Sequence, residues 1–174
     1  MKKIRNWQIA GFVFTAIIGT LFHFLFDWTK ESVIAAFISP VNESIWEHTK
    51  LLFFPMFAFA ILEYGFFGQK YAKFWCIKLK GIVIGIILIP VLYYTYSGII
   101  GKSVDWVNIV IFFVAVGVVY FLETKLFLGN TSCNISSEYA FVILCMIGIV
   151  FFIFTFYPPN IPLFEDPVSK TYGV

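Results

Sequence analysis

Five long apolar runs, at about residues 7–26, 51–67, 77–96, 106–126 and 139–157, limit what this chain can fold into. A helix rises about 1.5 Å per residue, so a run of about 20 residues matches the thickness of a bilayer's hydrocarbon core. Of the 174 residues, 60% are hydrophobic and only 13% are charged, whereas a soluble domain carries about 25% charged residues. Mean hydropathy is +0.90. The solvent that fits such a surface is lipid, and a chain in lipid must satisfy its backbone hydrogen bonds internally. The reading is an all-α fold: a single integral membrane bundle of five transmembrane helices over residues 1–174, with a tail at 158–174.

Lys2, Lys3 and Arg5 precede the first run, as in a signal peptide. The run is longer than the usual apolar core of about 7–15 residues, and no small-x-small cleavage site follows it, so it is read as an uncleaved span. Lys2, Lys3, Arg5, Lys70, Lys73, Lys78, Lys80 and Lys125 fall on the side of the N-terminus. Lys30, Lys50, Lys102 and Lys170 fall on the other. Lysine and arginine collect on the cytoplasmic side, which predicts the N-terminus inside and the C-terminus outside. Trp7, Trp28, Trp46, Trp75 and Trp106 lie near span ends, where indole favours the headgroup layer. The basic residues form no patch, which argues against nucleic acid as a partner. Cys76, Cys133 and Cys145 are odd in number and lack CxxC spacing, so they are expected to be thiols rather than a disulfide framework.

Polar chemistry concentrates at residues 39–50. Ser39 is expected to cap a helix that starts at Pro40, with Glu43 in its first turn. On such a helix Glu43, Glu47 and Lys50 share a face, and His48 falls on another. His23 and Asp27, spaced i, i+4, end the first span on the same side of the membrane. The two pairs could meet around one ion or one water. Imidazole with carboxylates suits zinc, manganese or iron. The candidate ligand or ion site is therefore His23, Asp27, Asn42, Glu43, Glu47 and His48. Its metal-binding subset is His23, Asp27, Glu43 and Glu47, and a divalent metal ion is the implied cofactor. The structural alternative is a solvated Glu47–Lys50 pair contributing at most about 0.5 kcal/mol.

No HExxH, GxSxG or P-loop is present. The function that fits is binding or transport of a cation, proton or small solute at an extracytoplasmic polar site. The alternatives are a membrane-embedded hydrolase and an accessory subunit of a membrane complex. Expected partners are the lipid bilayer and either a second copy of the chain or another membrane protein. In the tail, Pro158, Pro159, Pro162 and Pro167 favour an extended chain. Leu163, Phe164 and Tyr172 are anchors that would fold it back over the outer mouth. Glycosylation patterns begin at Asn42, Asn130 and Asn134 and would matter only in a secretory pathway.

The segment Ser-Pro-Val-Asn-Glu-Ser-Ile-Trp-Glu-His-Thr-Lys-Leu from Ser39 to Leu51 is the most specific motif in the chain. With Pro55, Pro162-Leu163, Asp166-Pro167 and Tyr172-Gly173, it resembles a group of small bacterial membrane proteins of Firmicutes that carry a domain of unknown function. The resemblance implies a multi-pass protein of a bacterial plasma membrane. It implies no activity.

Overall fold

The computed structural model describes residues 2–129 and 133–174. The pattern beginning at Asn130 lies outside the described residues. The architecture is all-α, with helices α1 (Lys2–Trp28), α2 (Val33–Ala36), α3 (Ile45–Phe66), α4 (Phe74–Ile100), α5 (Asp105–Leu128) and α6 (Ser137–Phe156), and a 3-10 turn at Gly68–Lys70. All but α2 are long and apolar enough to cross a membrane. Five crossings put the two termini at opposite ends of the bundle, called here the N-terminal end and the tail end.

Helix α3 packs on α1, α4 and α6; α5 closes the group by packing on α1 and α4. Contact with lipid leaves no hydrophobic drive between helices, so close approach depends on small residues. On α1 the buried face runs Ile4, Gln8, Gly11, Thr15, Gly19, Phe26. A Cβ at Gly19 would lie 2.6 Å from the Leu51 carbonyl oxygen of α3. Pro55 has no N–H to give that carbonyl, which is four residues earlier in the helix. The proline thus exposes an acceptor, and the glycine lets α1 reach it. Trp28 and Trp106 are exposed, as residues of a headgroup belt would be, but Trp75 is buried in the bundle core.

Two local expectations are corrected. The helix expected from Pro40 starts at Ile45, with Ser44 as its cap; the Ser44 side chain accepts from the Glu47 N–H at 3.3 Å. Ser44 and Glu47 have the spacing of a capping box, and that signal outranks Ser39-Pro40. Residues 40–43 are therefore not helical. The second correction concerns the cysteines. Cys76 and Cys133 form a disulfide across 57 residues, leaving Cys145 free. The bond joins the first turn of α4 to the connection before α6, a meeting made by packing that no sequence spacing announces.

The tail turns back over the tail end of α3. The Trp46 N–H, left without a helical acceptor in the first turn, donates to the Leu163 carbonyl at 3.0 Å. Phe164 is buried between Trp46 and Phe154, with ring centroids 4.9 and 5.3 Å away. Glu165 and Tyr172 pair as an isolated antiparallel bridge. Asp166 is nearly buried. Burial pushes its carboxyl up, but the N–H groups of Val168 (2.7 Å) and Ser169 (3.3 Å) outweigh this and hold it below the usual aspartate range.

Candidate functional site

Three ligand-bearing side chains meet at the tail end: His23 near the end of α1, Glu43 in the loop before α3, and His48 in the first turns of α3. One atom from each lies within 4.8 Å of the others. His48 Nε2 is 3.3 Å from Glu43 Oε2, and His23 Nε2 is 4.0 Å from Glu43 Oε1. The two imidazole centroids are 5.4 Å apart. Two ligands on a tetrahedral zinc, each about 2.0–2.2 Å from the metal, stand about 3.3–3.6 Å apart. The His48–Glu43 pair has that spacing, and His23 would have to draw in from 4.0 Å to complete it.

The hydrogen bonding of His48 sharpens the geometry. Its Nδ1 lies 2.9 Å from the Ser44 carbonyl oxygen. A carbonyl only accepts, so Nδ1 carries the proton, and in the neutral ring Nε2 offers a lone pair. Nε2 faces a carboxylate oxygen at 3.3 Å, an arrangement that calls for a positive particle: a second ring proton, which makes an imidazolium–carboxylate pair, or a metal cation held by both. A backbone carbonyl that fixes the tautomer of a histidine in this way is a recurring support for a metal ligand. The contact with His48, first, and then the fields of the two histidines hold the Glu43 carboxyl below its usual range against the opposing effect of burial. His23 Nδ1 is buried without a hydrogen-bond partner among the described residues.

A cleft of about 220 Å³ adjoins the cluster. Glu43 and His48 form part of its wall, Asp105 and Asn108 at the start of α5 add polar groups, and Tyr93 and Phe112 are among its apolar lining. Asn108 is engaged by the Tyr96 hydroxyl and by Ser103 at 3.1 Å.

The chain belongs to the family of unknown function DUF6512. The family model matches residues 1–174. No curated protein and no solved structure gives a significant match.

In this DUF6512 member the remaining sequence candidates lie apart from the three-residue cluster. Asp27 is exposed at the end of α1 and is not among the three converging residues. Asn42 ties the loop to the tail, donating to the Gly173 carbonyl at 2.9 Å and accepting from the Ser44 N–H. Glu47 is buried; its Oε2 takes Lys50 Nζ at 2.6 Å and the Val41 N–H at 3.0 Å, and its Oε1 takes the Thr155 hydroxyl at 3.1 Å. Lys50, fully buried, also donates to the carbonyls of Ala36 and Ser39. The pair expected in solvent is an internal knot that joins α2, the loop, α3 and α6.

A second polar cluster was legible only in part: the sequence puts Glu63 near the end of its span, within reach of the loop lysines, Lys78 among them, but does not bring in Glu123. Near the N-terminal end, Lys78 of α4 lies between Glu63 of α3 and Glu123 of α5, in contact with both, and all three are buried. The available signal was the set of ionisable residues within about one turn of the ends of three different apolar runs.

Proposed function

We propose that this polytopic membrane protein binds a first-row divalent transition-metal ion, zinc above all, through His23, Glu43 and His48 at its tail end. The observation that carries the reading is the convergence of His48 Nε2, 3.3 Å from the Glu43 carboxylate, with His23 alongside. A metal ion in place of a ring proton would turn that contact into coordination. Two imidazoles and one carboxylate suit zinc, iron or manganese, and three protein ligands leave a coordination position for water or a solute. The cleft beside the cluster supplies the space for such a solute. It also favours a second reading, a membrane-embedded metal-dependent hydrolase in which bound water attacks a substrate held in the cleft.

Elemental analysis of the purified protein tests the proposal. A stoichiometric first-row transition metal is expected, with loss in His23→Ala and His48→Ala. A metal-free protein that takes up none of zinc, manganese or iron on titration would overturn it. Hydrolysis of lipid or peptide by the metal-loaded protein, abolished by the same substitutions, would select the second reading.

The same proposal places the protein in a bacterial plasma membrane with the tail outside. Lys50 and Lys78 are buried and so weigh little in the charge bias, yet the remaining basic residues still favour the N-terminal end. A cysteine placed at exposed Ser169 should react with a membrane-impermeant maleimide in intact cells. No reaction before lysis and reaction after it would reverse the orientation. The reversed orientation would put the Cys76–Cys133 bond in an oxidising compartment, where disulfides persist.

A further inference from the structure

The buried Glu63–Lys78–Glu123 cluster is distinct from the tail-end site and does not depend on it. Glu63 stands three residues before the end of α3, Lys78 four residues after the start of α4 and Glu123 five before the end of α5. At about 1.5 Å per residue these positions are roughly 5–8 Å inside the helix ends. Above them, Phe67, Tyr71, Phe74 and Phe127 form an aromatic roof, with neighbouring ring centroids 5.6 to 6.3 Å apart. The rings stand between the cluster and the N-terminal face, and Tyr71 among them is only half-buried.

Its charges do not balance. Lys78 Nζ is 2.6 Å from Glu123 Oε2 and also contacts Glu63, and it lies 5.6 Å from the ring centroids of Phe74, Tyr120 and Phe127. Helix α1 contributes no charge to the group. Gln8 donates to Glu63 Oε1 at 2.8 Å, and Thr15 shares a 2.8 Å hydrogen bond with the Tyr120 hydroxyl, the other titratable group facing the cluster from α5. One ammonium thus faces two carboxylates. A buried uncompensated charge is costly, and such a group neutralises when it can. Three acceptors of the cluster, Gln8 Oε1, Glu63 Oε2 and Glu123 Oε1, receive no hydrogen bond among the described residues, although Lys78 Nζ contacts Glu63 Oε2. Glu123 Oε1, which no donor occupies, is a place for a proton, and Glu63 Oε2 is a second.

We propose that Glu63 and Glu123 together hold one exchangeable proton, making this cluster a buried proton-binding site at the N-terminal end of the bundle. With the proton, Lys78 and one carboxylate form a neutral pair and the other glutamate is a neutral acid. Without it, the site carries a net negative charge in a low-dielectric interior. The proton is gained from and returned to water, so no other reactant is required. The contrast with Glu47 and Lys50 is direct, because there one cation meets one anion and no proton is needed.

Infrared difference spectroscopy of the full-length protein in lipid, titrated from acid to alkaline pH, tests the proposal. The wild type should show the carbonyl stretch of a protonated carboxylic acid at neutral pH, disappearing as the pH is raised. Glu63→Gln and Glu123→Gln should each abolish it, since either leaves one lysine with one carboxylate. Glu123→Asp, which keeps an acid at a shifted position and guards against a glutamine variant that does not fold, should retain the band at a changed frequency. Absence of the band in the wild type at neutral pH overturns the proposal. So does a band that persists through the alkaline range, or one that none of the three substitutions alters.

Discussion

Glu43 and Glu47 stand on either side of the α3 cap and have opposite surroundings. Glu47 is buried, and both its oxygens are occupied by Lys50, Val41 and Thr155. Glu43 is about half exposed and faces the Nε2 atoms of two imidazoles, with no lysine among its contacts. A carboxylate whose acceptor sites are filled by the protein's own donors is consumed by the fold. One that meets only imidazole nitrogens keeps room for a shared proton or a bound cation. The difference lies in which partners packing delivers to each residue, not in the residue type or its distance along the chain.

The comparison breaks most readily at Lys50. Lys50→Met leaves Glu47 buried without its cation, so a loss of about 3–5 kcal/mol is expected in reversible unfolding of the purified protein. Adding Glu47→Gln to that variant should recover much of the loss, because the uncompensated charge goes with it. Next comes Thr155→Val, which removes the hydroxyl on Glu47 Oε1. An acceptor left unsatisfied in the interior costs about 1–3 kcal/mol. An effect near zero would mean that Glu47 is less tightly held than the geometry implies.

A smaller effect is expected where the tail closes over the site. The Asp166 carboxyl is held below its unfolded value of 3.8. The stability it contributes is therefore fully present above that value and is lost as the pH falls through the lower folded value. Release of the tail, followed by the fluorescence of Trp46 against which Phe164 packs, should occur in strong acid. Asp166→Asn should remove that acid dependence. Smallest of all is the stability effect of Glu43→Gln, within about 0.5 kcal/mol as for other exposed positions. A loss comparable to that of Lys50→Met would move Glu43 into the same structural class as Glu47.

Five crossings were legible because an apolar run of about 20 residues has few other solutions. The polar stretch was equally visible, yet its internal division was not. Placing the helix start at Pro40 put Glu43 and His48 on different faces, whereas the true cap at Ser44 frees Glu43 from helical periodicity and lets it turn onto His48. Burial of Lys50 depends on the carbonyls of Ala36 and Ser39 coming within reach, a tertiary event with no local pattern. The Cys76–Cys133 bond and the Glu63–Lys78–Glu123 cluster are likewise made by helices meeting far from one another in sequence.

The central claim is that Glu43 is held for a cation and Glu47 for the fold, and calorimetric titration of zinc into the metal-stripped wild type, Glu43→Gln and Glu47→Gln proteins tests it most directly. The account predicts that Glu43→Gln loses zinc binding with its stability intact, while Glu47→Gln is less stable but binds zinc with wild-type affinity. Zinc binding that survives in Glu43→Gln and disappears in folded Glu47→Gln would contradict it.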